Sequence, residues 1–259
     1  MGGYLRLRQL CLVAYELEPA IADLGSVLGL DICYRDGNVG KYGLVNALLP
    51  VGKCFLEVVA PTREGTAAGR YLERRHGDGG YMVIIDCDDI ERRRRQVEEL
   101  GVRIANPLRY ESYTGLQLHP RDTGGCMLEL NHTGGGESLD GPYHPAGPHW
   151  QESVRTDTTT ALVGAVLQSP EPEPLAERWA KILERPLSRG SAGEPKIALD
   201  LGVLHFVTPT DRRGEGLAGI DVAVVDPVRI IAQAKRRGCA VTGNSVTICG
   251  IRFGLVTAR

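Results

Sequence analysis

Residues 9–30, QLCLVAYELEPAIADLGSVLGL, decide the fold because they change from an apolar run to a helical repeat within a few positions. The run at 9–15 predicts a strand. A helix is expected to follow it, because apolar residues recur three and four positions apart until the glycine at position 29. Glycine and proline then separate three more expected strands, at 32–35, 43–49 and 54–60. The segment therefore predicts one βαβββ module.

The same order of strand and helix returns three more times, with a glycine after the helix in the second and fourth copies. A strand and helix are expected at 81–87 and 89–100, a third pair at 161–167 and 174–183, and a fourth at 220–225 and 227–237. Repetition of one supersecondary unit predicts a fold that is built from copies of it. We therefore expect an α+β protein in which four βαβββ modules form two paired domains.

Glycine and proline concentrate between the second and third modules, in residues 133–157. Such a composition cannot continue a helix or an inner strand. The sequence therefore predicts a first domain at residues 1–132, a linker at 133–157 and a second domain at 158–259.

Composition and charge exclude two classes of protein. The 259 residues carry a formal net charge of -2, which offers no cationic surface for nucleic acid. The apolar run near the start of the chain gives way to polar residues too early for a signal peptide or a membrane span. Seven cysteines are scattered without a CxxC pair, which suits a reducing compartment and predicts a cytoplasmic protein.

Two glutamates stand on strands that are otherwise apolar. Glu57 lies in CFLEVV, residues 54–59, and Glu129 lies between Leu128 and Leu130. A buried carboxylate is costly unless it is paired or bound to a metal, so a shared functional cavity is one interpretation. The alternative is that each glutamate faces solvent from the wet side of an antiparallel sheet.

Two stretches carry a resemblance to a known superfamily. Residues 9–30 together with CFLEVVAP (54–61), and YMVIIDCDDIERRRRQVEELGV (81–102) together with LHPRDTGGCMLELN (118–131), resemble the glyoxalase-like proteins of the vicinal oxygen chelate superfamily. Within that superfamily the N-terminal half is most similar to methylmalonyl-CoA epimerases and glyoxalase I. The resemblance implies the fold that the repeats predict.

The resemblance also implies a set of site residues. It places Gln9, Glu57 and Glu129 on the metal-ligand positions of the superfamily, and Met82 where the family usually has histidine. A divalent metal, one of Mn, Co, Ni, Mg or Zn, is thus expected on Gln9, Glu57 and Glu129. His119 and Met82 are expected to contact the substrate.

The implied activity is that of a metal-dependent isomerase, epimerase or lyase. It would move a proton next to a carbonyl of a small acid or thioester, with Glu129 and Glu57 as the catalytic groups. The expected partner is a small-molecule substrate such as a CoA thioester, with neither nucleic acid nor a membrane, and the resemblance leaves a homodimer open.

Two other functions stay open at this stage. The methionine at position 82 favours a non-catalytic binding protein of the bleomycin-resistance type. An extradiol dioxygenase would place two histidines and a glutamate in the C-terminal half, where this chain offers His205 alone.

The C-terminal half is expected to be a degenerate copy. Three of the four positions that match the candidate ligands hold glycine, at 164, 219 and about 254, and the fourth holds His205. We therefore expect modules three and four to serve structure. With the linker, they are expected to cover the first cavity and keep water from a reactive enolate.

Overall fold

The structure, a computed structural model, describes residues 3–258, and its strands and helices follow the repeat in the sequence. Module one contains β1 (Leu5–Val13), α1 (Leu17–Leu28), the 3-10 helix η1 (Gly37–Tyr42), β2 (Leu44–Val51), β3 (Cys54–Pro61) and α2 (Ala67–Arg75). Module two contains β4 (Gly79–Cys87), α3 (Ile90–Glu99), β5 (Ile104–Tyr110), β6 (Tyr113–Leu118), α4 (Pro120–Thr123) and β7 (Met127–Thr133).

Two short 3-10 helices, η2 (His144–Ala146) and η3 (Trp150–Ser153), follow β7. Module three then contains β8 (Thr159–Gln168), α5 (Pro172–Leu183), β9 (Leu187–Arg189), β10 (Pro195–Ala198) and β11 (Val203–Val207). Module four contains β12 (Gly216–Val224), α6 (Pro227–Arg236), β13 (Val241–Thr242), β14 (Ser245–Ile248) and β15 (Ile251–Thr257).

The strands form two sheets, one for each pair of modules. The seven-stranded sheet has the order β2-β3-β1-β4-β7-β6-β5, and the eight-stranded sheet has the order β13-β14-β15-β12-β8-β11-β10-β9. This arrangement confirms the predicted α+β fold of four βαβββ modules in two pairs.

Module one departs from the predicted pattern at its second strand. The strand expected at 32–35 is reduced to a bridge between Tyr34 and Leu48. The Asp36 side chain accepts a hydrogen bond from the backbone N–H of Asn38 at 2.8 Å and begins η1, so the chain turns before a ladder can form.

Several elements were not predicted from the sequence, and α2 and β5 are the longest of them. Thr66 is the N-cap of helix α2, where its hydroxyl accepts from the N–H of Gly69 at 2.9 Å, and the helix buries Ala68, Leu72 and Arg75. Strand β5 carries Pro107 and alternates between half-buried and exposed positions, which suits its place at the edge of the sheet. Neither has the apolar pattern that identifies a core element.

Backbone contacts divide the chain into two compact units. The first contains residues up to Leu10, Tyr81–His144 and Gly164–Leu217, and the second contains Cys11–Gly80, Pro145–Val163 and Ala218–Arg259. These units are not the same divisions as the repeats. The domain boundaries expected from the repeats, at 132 and 158, stay a prediction.

Each unit has an aromatic contact in its core. Trp179 and Phe206 pack edge to face in the first unit, with ring centroids 5.9 Å apart, and Phe55 and Trp150 do the same in the second at 5.1 Å. Trp150 comes from the expected linker, so that stretch contributes to a core. Over residues 3–258, the helices are all too short or too polar to cross a membrane.

Candidate functional site

Glu129 lies on an inner strand of the first unit. Strand β7 is hydrogen-bonded on one side to β6 and on the other to β4, and Glu129 is in register with Gln117 and Ile84. Its neighbours Leu128 and Leu130 alternate to the opposite face. The carboxyl group is therefore held inside the protein, and the residue is only 2% exposed.

Neutral donors surround the Glu129 carboxyl group. The Tyr113 hydroxyl donates to Oε1, and the Gln117 amide donates to Oε2 at 2.9 Å. Burial raises the pKa of Glu129, and the hydrogen bonds from Tyr113, Gln117 and Asn131 oppose that rise. The Glu129 carboxyl group therefore has a higher pKa than an exposed one, which suits a group that accepts and returns a proton.

Asn131 connects Glu129 to a second tyrosine. Its amide nitrogen donates to the hydroxyl of Tyr113 at 3.2 Å and to the hydroxyl of Tyr143 at 3.3 Å, and lies 3.5 Å from Glu129 Oε1. The tyrosine hydroxyls use their own protons elsewhere, so the amide nitrogen rather than the amide oxygen has to face them. Asn131 Oδ1 is buried and accepts no hydrogen bond from residues 3–258, which leaves it available to a bound molecule.

Tyr143 joins the network from the segment that follows β7. Its hydroxyl donates to Gln9 Oε1 at 3.0 Å, and both residues are 2% exposed. We call residues 134–144 the junction segment, because it begins the stretch between modules two and three. Glu129, Asn131 and Gln9 therefore belong to one buried hydrogen-bond chain whose links include two tyrosines.

Two arginines of β1 hold the junction segment. Arg6 donates to the carbonyl oxygens of Gly136 at 3.4 Å and Glu137 at 2.8 Å, and Arg8 donates to the carbonyl oxygen of Leu139 at 2.9 Å. The Arg8 guanidinium also lies over the Tyr143 ring, 5.2 Å from its centroid. The position of Tyr143 is thus fixed both at its ring and along the backbone before it.

His144 ends the junction segment with a stacked ring. It is exposed, as its glycine- and proline-rich surroundings suggest, and it stacks on Tyr110 and Tyr113 with centroids 5.1 Å away in each case. The ring that carries the Glu129 donor is therefore covered by a side chain of the junction segment.

The two residues expected to contact substrate lie in different surroundings. Met82 is buried on β4, two residues before Ile84, which places it on the same face of the sheet as Glu129. His119 caps α4 and accepts from the N–H of Arg121 at 3.2 Å. Substrate contact stays a prediction for both, and the cap occupies one ring nitrogen of His119.

Glu57 belongs to the second unit and is held by an asparagine of the neighbouring strand. It is buried on β3, where Asn46 of the neighbouring strand donates to its Oε1 at 2.7 Å. Asn46 also accepts from the N–H of Asp36 at 2.8 Å. A single amide thus links Glu57 to the loop that replaces the missing strand.

The side-chain oxygens of Gln9 and Glu129, as the structure places them, do not fit a metal ion. Both oxygens of Glu129 accept hydrogen bonds, and the side-chain oxygen of Gln9 accepts one from Tyr143, so these oxygens face protons. Within residues 3–258 no group of three or more His, Cys, Asp or Glu side chains is placed to hold a metal ion. Ligation by Gln9, Glu57 and Glu129 stays a prediction that requires the side chains to rearrange.

His205 lies outside this network. Its Nδ1 is 3.0 Å from Glu194 Oε1, and its side chain is 25% exposed. An ion pair at the surface of this kind contributes little to stability. The degenerate character of the C-terminal half stays a prediction.

Sequence reasoning missed four members of the network: Tyr113, Gln117, Asn131 and Tyr143. Asn131 could have been found from the sequence, because side chains two positions apart on a strand lie on the same face and Glu129 was already a candidate. Tyr113 required the register of β6 against β7, in which Gln117 is opposite Glu129. Tyr143 carried no periodic signal, because it stands among glycines and prolines.

Four βαβββ modules in two paired sheets define the class as vicinal oxygen chelate proteins, as the sequence resemblance implies. A solved structure of a hypothetical protein from Staphylococcus aureus shares the whole fold, with a TM-score of 0.69, 11% identity, and 98% of this chain and 99% of that chain covered. The chain belongs to the Glyoxalase-like domain family, which it matches over residues 10–183.

Relatives of half the length match part of the chain. An ethylmalonyl-CoA/methylmalonyl-CoA epimerase of Cereibacter sphaeroides is 24% identical over 129 residues, which cover 48% of this chain and 96% of that protein. A solved variant of the Streptomyces coelicolor methylmalonyl-CoA epimerase, in complex with 2-nitronate-propionyl-CoA, is 22% identical with a TM-score of 0.46, covering 50% of this chain and 98% of that one. The sequence match to the Cereibacter sphaeroides epimerase agrees with the resemblance of the N-terminal half to methylmalonyl-CoA epimerases.

Proposed function

We propose that the protein catalyses proton transfer at the carbon next to a carbonyl, in a small acid or a CoA thioester, and that Glu129 moves the proton. The observation that carries this proposal is the buried Glu129 carboxyl group, whose pKa is raised by burial and whose oxygens are oriented by Tyr113 and Gln117. The names of the relatives favour the same chemistry and a CoA thioester as substrate.

The chemical step is a simple exchange of electron pairs. The Glu129 carboxylate takes the proton, and the pair of the broken C–H bond forms the C=C bond of an enolate. The π pair of the carbonyl moves to its oxygen. The reverse step returns a proton to carbon, so the reaction requires no oxidant or reductant.

Enclosure of Glu129 sets a condition on turnover. Because the residue is 2% exposed, side chains around it must move before a substrate reaches its oxygens. The same enclosure excludes water once a substrate is bound, which protects an enolate from side reactions.

Glu57 remains part of the proposal, whereas the metal stays a prediction from the sequence that the hydrogen bonds on Gln9 and Glu129 do not favour. Glu57 is proposed to supply the second acid that an epimerase requires on the other face of the enolate. Elemental analysis of protein purified without chelators tests the metal: a stoichiometric divalent ion that Glu129→Ala removes would support ligation by Gln9, Glu57 and Glu129.

Deuterium exchange tests the proposed function directly. Wild-type protein in D₂O should exchange the α-proton of methylmalonyl-CoA or ethylmalonyl-CoA, followed by NMR. Glu129→Gln should slow exchange by about 10²–10⁴-fold, because general acid–base groups contribute that much. Glu99→Gln is the matched control, since Glu99 is exposed at the end of α3.

Two results would contradict the proposed function. Tight binding of an acyl-CoA without any exchange would indicate the binding protein that Met82 favours. Oxygen consumption with a catechol would indicate a dioxygenase.

A further inference from the structure

We propose that Tyr143 is a further catalytic residue, whose hydroxyl donates a hydrogen bond to the substrate oxygen that becomes negative in the enolate. The proposal rests on the function proposed above and names the group that stabilises its intermediate. The residue comes from the junction segment, outside the strands that carry the predicted ligands.

The hydroxyl of Tyr143 is already directed at a carbonyl oxygen. It donates to the amide oxygen of Gln9 at 3.0 Å, inside a site where both residues are 2% exposed. A thioester carbonyl presents the same kind of acceptor, so a substrate oxygen in the place of the Gln9 oxygen would meet the same donor. The tyrosine would not have to turn.

The donor lies close to the group that moves the proton. Asn131 Nδ2 is 3.3 Å from the Tyr143 hydroxyl and 3.5 Å from Glu129 Oε1. The hydroxyl and the carboxyl oxygen are therefore within two hydrogen-bond lengths of each other. An α-carbon and its carbonyl oxygen are separated by two covalent bonds, so one acyl group can contact both.

Burial raises the pKa of the Tyr143 hydroxyl, and two neighbours, Asn131 and Arg8, oppose that rise and favour donation from it. The oxygen accepts a hydrogen bond from Asn131, and acceptance polarises the O–H bond that is donated onward. Arg8 over the ring adds a positive charge nearby. A donor fixed in this way before the reaction stabilises an oxyanion without reorganisation.

The arrangement offers an alternative to the metal that the resemblance implies. A divalent ion would act as a Lewis acid on the carbonyl oxygen. Here the oxygens of Gln9 and Glu129 face protons, and the Tyr143 hydroxyl lies between Gln9 and Asn131. When the carbonyl π pair moves to oxygen, the Tyr143 proton stays on the tyrosine and only its hydrogen bond strengthens.

Tyr143→Phe is the principal test, because it keeps the ring and removes only the hydroxyl. The kcat of deuterium exchange should fall by about 10²–10³-fold, the usual effect of removing one oxyanion donor, while KM changes little. Tyr71→Phe is the matched control, since the Tyr71 hydroxyl donates to the Gly80 carbonyl oxygen at 2.6 Å away from the network. Circular dichroism checks that both variants are folded.

A binding measurement separates catalysis from packing. The 2-nitronate-propionyl-CoA analogue carries a planar anion like an enolate, and calorimetry should show about 10–100-fold weaker binding to Tyr143→Phe, as expected for a hydrogen bond to a charged group. Methylmalonyl-CoA should bind both proteins alike. Should Tyr143→Phe not fold, 3-fluorotyrosine at position 143 keeps the hydroxyl and raises its acidity, and it should tighten binding of the nitronate.

The outcomes distinguish the two proposals. If wild-type protein exchanges deuterium and Tyr143→Phe exchanges equally fast with unchanged nitronate affinity, the role of Tyr143 is refuted and the proposed function stands. Loss of wild-type exchange after removal of a bound metal would also refute it. If the wild type exchanges no deuterium, the proposed function fails and the role of Tyr143 fails with it.

Discussion

Glu129 and Glu57 occupy matched positions in two copies of one module, yet their surroundings differ. The Glu129 carboxyl group accepts hydrogen bonds from Tyr113 and Gln117 in a chain of buried groups, whereas the Glu57 carboxyl group accepts from Asn46, which also binds the N–H of Asp36. In the sequence the two glutamates look alike, because each stands on an otherwise apolar strand. The difference teaches that a matched position predicts burial of an acid, while the side chains of neighbouring strands decide its chemistry.

The largest expected effect is on catalysis, where substitution of Glu129 and of Glu57 should give different products. Glu129→Gln should abolish both exchange and epimerisation of methylmalonyl-CoA, with a loss of about 10²–10⁴-fold. Glu57→Gln should keep exchange on one face and lose epimerisation, because the second proton then has no donor. Chiral analysis alongside NMR measures both. Equal loss of exchange in the two variants would remove the distinction between the acids.

The pH dependence of stability tests the burial of acids in the first unit. Burial raises the pKa of Asp86 to about 6, against the attraction of Arg8 and Arg6, and it raises the pKa of Glu129 in the same direction. An acid whose pKa is higher when folded stabilises the protein fully below its unfolded pKa, and that contribution is lost as pH rises through the folded value.

For Asp86 this loss is on the order of 3 kcal/mol between about pH 4 and pH 6. Urea unfolding across that range should show Asp86→Asn with a flatter profile than wild type, and Glu129→Gln with a change in the same direction. A wild-type profile that rises from pH 4 to pH 6 in step with both variants would contradict the raised pKa values.

The asparagines beside the two glutamates, Asn131 and Asn46, allow their environments to be compared by the free energy of unfolding. Asn131→Ala removes the amide that donates to the hydroxyls of Tyr113 and Tyr143. Asn46→Ala removes one hydrogen bond to Glu57 Oε1 and one from the N–H of Asp36. Each should lower the free energy of unfolding by about 1–3 kcal/mol, with the larger loss for Asn131 because its site is more completely buried. Denaturant unfolding at pH 7 measures both. A larger loss for Asn46→Ala would reverse the ranking of the two environments.

The smallest effect is expected at the third matched position. His205 pairs with Glu194 at the surface, so His205→Ala should change the free energy of unfolding by about 0.5 kcal/mol and leave deuterium exchange unchanged. Loss of a bound metal in this variant alone would reassign the site to the C-terminal half.

The sequence predicts much of the fold because strand and helix periodicities repeat. Helix α1 ends where predicted, at a glycine with φ of 70°. The strand predicted at 32–35 does not form, because the turn at Asp36 replaces the backbone pairing of a short strand. Strand β5 was not predicted, because an edge strand with a proline lacks the apolar pattern of a core strand. The site was predicted in part: the burial of Glu57 and Glu129 follows from apolar neighbours, but no local pattern places Tyr143 beside Gln9.

The junction segment has a consequence for protein engineering. A shortened protein that stops at residue 132, where the repeats suggest a natural cut, would keep Glu129 and Asn131 but discard Tyr143 and the carbonyls that Arg6 and Arg8 bind. A minimal version of this site therefore has to extend through His144. In this chain the connection between repeats supplies a member of the buried network, so exchanging it for a flexible spacer would remove the Tyr143 hydroxyl from Gln9 and Asn131.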